Sequence, residues 1–300
     1  MPAEIPNPEL KYENNRVKGE SLREYISKRY IGTPTVNVDS NALGFTEEEM
    51  RYADTKGVIH TDKPVVFFGF DDWGTDQAIN KLLYVLRKHN AKATFFVLTN
   101  NIKNNPNLIR AIALDGHDIA SHTNMHKPLA VVGKFDHLRH GMTRSERFQD
   151  IAASYKNMEY YVGDIVVDGR PALTKMFRPP TLTISKLGFE ELRENGFEWI
   201  VSGSYSTHDY AQSNLYEMME QIKSGLYYKD KVVKGAVFVA HMSDVAKFTP
   251  GALDVLLTLN EQRPEGDPRK FIVGRLSEYL VDEYRQDNHQ LDLALERMRK

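Results

Sequence analysis

The stretch Pro64-Val-Val-Phe-Phe-Gly-Phe70 is apolar without a break and ends in two adjacent carboxylates, Asp71 and Asp72. An unbroken apolar run of strand length suits a strand covered on both faces, and such strands belong to parallel sheets flanked by helices. The residues that follow keep to that plan. A helix is expected from about Asp76 to Asn90, with Ile79, Leu82, Leu83 and Leu86 on one apolar stripe. Thr94 to Leu98 reads as the next strand, Pro106 to Leu114 as the next helix, and Ile119 to Ser121 as a short strand running into His122. Thr143-Arg-Ser-Glu146 is a capping box that opens a helix to about Tyr161. Further strands are expected at 175–177, 199–202, 236–240 and 271–273, with a helix over Glu190 to Glu194 and a closing polar helix from Leu276. Strands alternating with helices predict a parallel α/β architecture. Asp71, Asp72, His122, Arg178 and His241 each stand just past a strand, on the face of such a barrel where catalytic groups gather.

Composition narrows the classes. Of 300 residues, 41% are hydrophobic and 27% charged, enough for a sizeable core. A net charge of −2 offers no electrostatic case for nucleic acid as a partner. With no cysteine, disulfides, thiolate catalysis and cysteine-bound zinc are all excluded. No apolar run reaches the roughly 20 residues a membrane span requires, and the N-terminus lacks the apolar segment of a signal peptide. Residues 1–60 stand apart as an N-terminal extension, partly helical, with the helix at Ser21 to Tyr30; residues 286–300 read as a polar helical tail.

Several polar groups carry chemical meaning only in combination. Adjacent carboxylates at the end of a buried strand repel one another unless a metal ion or an arginine lies beside them; by itself such a pair is more often a solvated turn. His122-Thr-Asn-Met-His126 spaces two imidazoles four residues apart, which on a helical turn puts both rings on one face to share an ion. Two imidazoles and a carboxylate suit zinc and its neighbours, and leave coordination positions open for water and substrate. Arg178, braced by Pro179 and Pro180, is able to orient a carboxylate. His241 ends a buried strand; by itself it is an ordinary histidine, and across a metal from Asp71 it is a proton donor.

In this order, these residues resemble the polysaccharide deacetylase (NodB-homology) family, carbohydrate esterase family four. The resemblance runs from about Val65 to Leu280. The family's T-F-D-D stands here as Gly69-Phe70-Asp71-Asp72, and its H-[ST]-x-x-H as His122-Thr123-Asn124-Met125-His126. Its R-x-P-Y stands as Arg178-Pro179-Pro180-Thr181, and its L-x-H as Val239-Ala240-His241. The resemblance implies a distorted (β/α)7-type barrel over 61–285 that removes N-acetyl groups from peptidoglycan, chitin-like or poly-N-acetylglucosamine chains. It makes Asp72, His122 and His126 ligands of one divalent metal, zinc first, with cobalt, nickel, iron or manganese as alternatives. It makes Asp71 the general base, His241 the general acid and Arg178 the partner of Asp71. A backbone N–H near Trp73 or Thr181 would receive the oxyanion.

Three departures bear on substrate. Trp73 replaces the glycine of the family's D-D-G, where its indole either stacks on a sugar or packs on the barrel rim. Trp73, Pro180 and Thr181 are the expected substrate-binding residues, and Thr181 stands where the family has tyrosine. The family's D-x-x-D-W has shrunk to Asp209-Tyr210, with Asp209 a candidate to orient His241. An O-acetyl xylan esterase using the same machinery and a non-catalytic carbohydrate-binding protein are the alternative functions. The polymers concerned imply action outside the cytoplasm, as part of an exported parent.

Overall fold

The computed structural model describes residues 19–32, 46, 56–129 and 143–280. Residues 281–300, which include the expected helical tail, lie outside them, as do residues 1–18. The strands, in chain order, are β1 (Tyr30–Ile31), β2 (Val65–Asp72), β3 (Thr94–Val97), β4 (Asp118–Ser121), β5 (Val166–Val167), β6 (Arg170–Pro171), β7 (Leu173–Phe177), β8 (Trp199–Val201), β9 (Tyr205–Ser206), β10 (Tyr227–Tyr228), β11 (Lys231–Val232), β12 (Val237–His241) and β13 (Ile272–Gly274). The helices are α1 (Leu22–Arg29), α2 (Asp76–Lys88), α3 (Pro106–Leu114), α4 (Arg144–Val162), α5 (Lys186–Glu194), α6 (Leu215–Leu226), α7 (Thr249–Glu261) and the short α8 (Ser277–Leu280).

Nine strands form one curled sheet in the order β1-β8-β7-β4-β3-β2-β12-β9, with β13 also on β2. Every pairing in it is parallel. This is the distorted (β/α)7 barrel expected from the resemblance. β5–β6 and β10–β11 form separate antiparallel hairpins.

Strand β2 is covered on both faces. Its residues alternate between two apolar clusters: Val65 and Phe67 join Phe96, Met176, Trp199 and Val237 inside the barrel, while Val66, Phe68 and Phe70 join the layer beneath the helices. Both faces are therefore dry, as the unbroken apolar run required. On the helix side, Ile79, Leu82, Leu83 and Leu86 of α2 are buried together, the stripe read from their spacing.

Helix starts follow local capping chemistry. Thr75, Asn105, Ser185 and Asn214 each accept a backbone N–H from the first turn of the helix that follows. Thr143 and Glu146 complete the capping box of α4. Helix α5 begins at Lys186 rather than Glu190, because the Ser185 side chain caps it there. Within the first sixty residues, α1 and β1 are built into the barrel. Ser21 and Glu24 form a second capping box, Tyr25 and Ile26 are fully buried, and β1 pairs with β8. The Tyr25 hydroxyl donates to the Phe197 carbonyl at 2.7 Å.

Candidate metal centre and active site

Because the strands are parallel, their C-terminal ends open on one side, and the chemistry-bearing residues meet there. Asp71 and His241 are direct partners in the β2–β12 ladder. Asp72 ends β2, His122 follows β4, Arg178 follows β7, and Asp209 lies in a single 3-10 turn after β9.

Asp71 continues the inward series Val65, Phe67, Gly69 and is almost fully buried. Its Oδ1 accepts Arg178 Nη1–H at 2.6 Å, and Arg178 Nε donates to the Val201 carbonyl at 2.8 Å. The guanidinium lies over the Phe96 ring, 4.0 Å from its centroid. Burial pushes the Asp71 carboxyl up, against the downward pull of the Arg178 and His241 charges. The repulsion expected between the two adjacent carboxylates is thus divided. Asp71 faces a guanidinium and Asp72 faces two imidazoles.

Asp72 breaks the alternation of its strand with a left-handed backbone, φ 77°. Its Oδ1 lies 3.7 Å from His122 Nε2 and 3.6 Å from His126 Nε2. One ligand atom from each of the three residues falls within 4.8 Å of the others. His122 Nδ1–H donates to the Arg178 carbonyl at 2.8 Å, which places the proton on Nδ1 and leaves Nε2 with a lone pair. Burial first, then the neighbouring His126, lowers the His122 pKa to about 3, so the ring is neutral. A neutral imidazole with its lone pair directed at a carboxylate is the donor state a divalent cation needs. These residues fit a metal ion.

The two histidines do not converge by a helical turn. Residues 122–126 form an irregular loop in which Thr123 (φ 72°) and His126 (φ 55°) are left-handed. Its shape is set from outside. Asp150 on α4 accepts the backbone N–H groups of Asn124 and Met125 at 3.2 and 3.4 Å, and the Thr123 hydroxyl accepts the His126 N–H at 2.9 Å. Asp150 was not among the residues picked out by motif. A signal for it exists in the buried polar set Arg147, Asp150 and Ser154, on the inward side of a helix. Non-glycine residues in left-handed conformations cost of order 1–3 kcal/mol each and gather where function requires them; Asp72, Thr123, His126, Thr181, Leu182 and His208 are all such residues on segments of this mouth.

His241 is held by Asp209, which is almost fully buried. His241 Nδ1 lies 2.6 Å from Asp209 Oδ1, and its backbone N–H donates to Oδ2 at 2.8 Å. Burial opposes charging of this imidazole. The hydrogen bond to Asp209 and the charges of Asp71, Asp209 and Asp72 overcome that, raising its pKa to about 9. Tyr210, exposed, sets its ring edge-on to His241 at 5.7 Å.

Of the three residues marked for substrate, Trp73 is half-buried and packs against the larger apolar cluster. The following Gly74 is constrained by a close approach: a Cβ there would lie 2.4 Å from the Met242 carbonyl. Pro180 is buried, and Thr181 is exposed at φ 58°.

Fold and site together define a parallel α/β barrel with an Asp-His-His group at the mouth of its strands. The family model for polysaccharide deacetylases matches residues 59–200. The chain is 30% identical over 144 residues to a peptidoglycan-N-acetylglucosamine deacetylase of Bacillus cereus, covering 48% of this chain and 43% of the relative. It is 26% identical over 259 residues to the peptidoglycan-N-acetylglucosamine deacetylase PgdA of Listeria monocytogenes, covering 86% of this chain and 45% of the relative. The chain thus spans less than half the length of these two relatives. Its fold matches that of the chitin deacetylase of Colletotrichum lindemuthianum with a TM-score of 0.59 at 20% identity, over 76% of this chain and 92% of that one. No helix among the described residues is long and apolar enough to cross a membrane.

Proposed function

We propose that this chain is a metal-dependent hydrolase that removes N-acetyl groups from a polysaccharide containing N-acetylglucosamine. The observation that carries this reading is the approach of Asp72, His122 and His126 to within 4.8 Å of one another, beside the ladder partners Asp71 and His241. A divalent ion held by the first three supplies a Lewis acid for the acetyl carbonyl and a water of lowered pKa. Zinc suits the donors best, and cobalt, nickel, iron and manganese are compatible with them.

The remaining chemistry belongs to side chains of the mouth. Asp71, fixed by Arg178, takes a proton from the water as it attacks the acetyl carbon. Backbone N–H groups near Trp73 or Thr181 receive the developing oxyanion. His241 is charged at neutral pH, and with Nδ1 engaged by Asp209 its Nε2–H is the proton for the departing amine. The carbon–nitrogen bond breaks to give acetate and a free amino sugar. Trp73, Pro180 and Thr181 contact the sugar around the acetyl group. The names of the relatives support peptidoglycan or a chitin-like chain as substrate, and with it action outside the cytoplasm or in the cell envelope.

The deciding experiment measures acetate release from N-acetyl and O-acetyl oligosaccharides, with and without chelator. Release from N-acetyl substrates that stops with chelator and returns with zinc supports the proposal. Release only from O-acetyl xylan makes the protein an esterase, and sugar binding without release makes it a binding protein.

A further inference from the structure

The family pattern carries threonine where this chain has Gly69, and the geometry around that position is specific. Gly69, Asp71 and Phe96 lie on the inner face of the barrel, because Asp71 pairs with Phe96 across β2 and β3 and Gly69 lies two residues earlier. A Cβ on Gly69 would lie 2.4 Å from Arg178 Nη1, 2.6 Å from Nη2 and 2.8 Å from Cζ. The guanidinium therefore lies directly on the backbone of β2, with the Phe96 ring 4.0 Å from it. Arg178 is fully buried and its Nη2 has no hydrogen-bond partner. Among the described residues, two side-chain hydrogen bonds direct it along this slot, Nε to the Val201 carbonyl and Nη1 to Asp71. The Gly69 φ is not left-handed, so backbone conformation alone does not demand glycine here.

We infer that Gly69 is a positioning residue: with Phe96 it forms a slot for the Arg178 guanidinium, and the slot sets the direction from which Asp71 is held. The catalytic part of this inference rests on the hydrolase reading, whereas its structural part does not. A side chain at 69 displaces the guanidinium whole, because all three of its nearest atoms lie under 3.0 Å and it is enclosed on every side. The Asp71 carboxylate then loses its bond to Arg178 while the Asp72, His122 and His126 side chains keep their places.

A double-mutant cycle tests this. Gly69→Ala is made in the natural chain and in a background carrying Asp71→Asn with Arg178→Ala, which removes the ion pair without stranding a buried charge. In the natural chain, Gly69→Ala lowers the melting temperature by about 4 °C or more. It also lowers kcat on an N-acetylated oligosaccharide about 100-fold with KM little changed, as misplacing a positioned catalytic group does. In the altered background the same substitution leaves the melting temperature equal or slightly higher, since alanine suits a strand better than glycine. An equal drop in both backgrounds overturns the inference, because it makes Gly69 a requirement of the strand itself; so does a Gly69→Ala protein with unchanged kcat and melting temperature. Should Gly69→Ala alone fail to fold, the two proteins of the altered background decide: equal melting temperatures support the slot, and a lower one with Gly69→Ala overturns it. A natural chain that releases no acetate disproves the hydrolase reading and leaves the melting comparison intact.

Discussion

The Asp209 carboxylate grips His241 at two points, taking its ring Nδ1 at 2.6 Å on one oxygen and its backbone N–H at 2.8 Å on the other. The Thr249 hydroxyl adds a third donor at 3.0 Å. Ring and main chain are therefore fixed together, and the imidazolium is favoured up to a pKa of about 9. An acid works only while protonated, so turnover falls as pH rises through that value. A divalent ion at Asp72 adds positive charge and draws the fall to lower pH. Asp209→Asn removes the negative charge and weakens the acceptor, so the alkaline fall in kcat begins at lower pH than in the natural chain. A pH–rate profile of both proteins with the same metal checks this.

Asp71 and Asp72 are neighbours in sequence with separate partners, so their substitutions separate as well. Asp71→Asn leaves Asp72, His122 and His126 untouched, and is expected to keep bound metal while losing about 10²-fold or more in kcat. His126→Ala removes one of three ligands and is expected to lower metal content in purified protein. Elemental analysis beside acetate-release rates measures both effects.

Asp150 reaches the metal group only through the backbone of residues 124 and 125. Asp150→Ala frees two N–H groups and relaxes the loop that carries His126. Metal affinity is expected to fall about 10–100-fold, the range seen when supports of ligands are removed. Titration with zinc against a competing chelator gives the value.

Away from the mouth, Arg147 of α4 and Glu191 of α5 form a buried two-point ion pair at 3.0 and 2.8 Å. Removing one partner from such a pair costs roughly 3–5 kcal/mol, because the other is left in a dry setting. Glu191→Ala is expected to lower unfolding free energy by about that amount in urea titrations, with metal content unchanged.

Strand order and site chemistry were legible in sequence to different depths. β2 and α2 declared themselves through unbroken apolarity and a clean stripe, and the capping box at Thr143 marked the start of α4. Helix α7 is not among the elements expected from sequence; its Pro250 sits in the first turn, where the missing N–H costs nothing. Helix α6 carries its signal in Met218, Ile222 and Gly225, where the glycine makes room for the Tyr205 ring. Its one-turn repeat is weak because glycine supplies no apolar side chain. At the mouth, the rings of His122 and His126 lie 5.0 Å apart, but not by the helical turn that their spacing suggests. Nothing in H-x-x-x-H foretells left-handed backbone at Thr123 and His126, or a carboxylate 26 residues away along the chain that shapes the loop. The approach of Asp209 to His241 depends on two strands meeting at β12, a long-range pairing that local pattern does not encode.

The family-model match starts at residue 59, yet the sheet does not. Tyr30 and Ile31 cover the outer side of β8. A version shortened to begin at residue 59 would bare the backbone of that strand, together with the pocket that Tyr25 and Ile26 fill. Open strand edges of this kind recruit other chains. A shortened version that retains residues 19–32 is therefore expected to clump less than one that lacks them, so versions intended for crystals or assays should keep that segment.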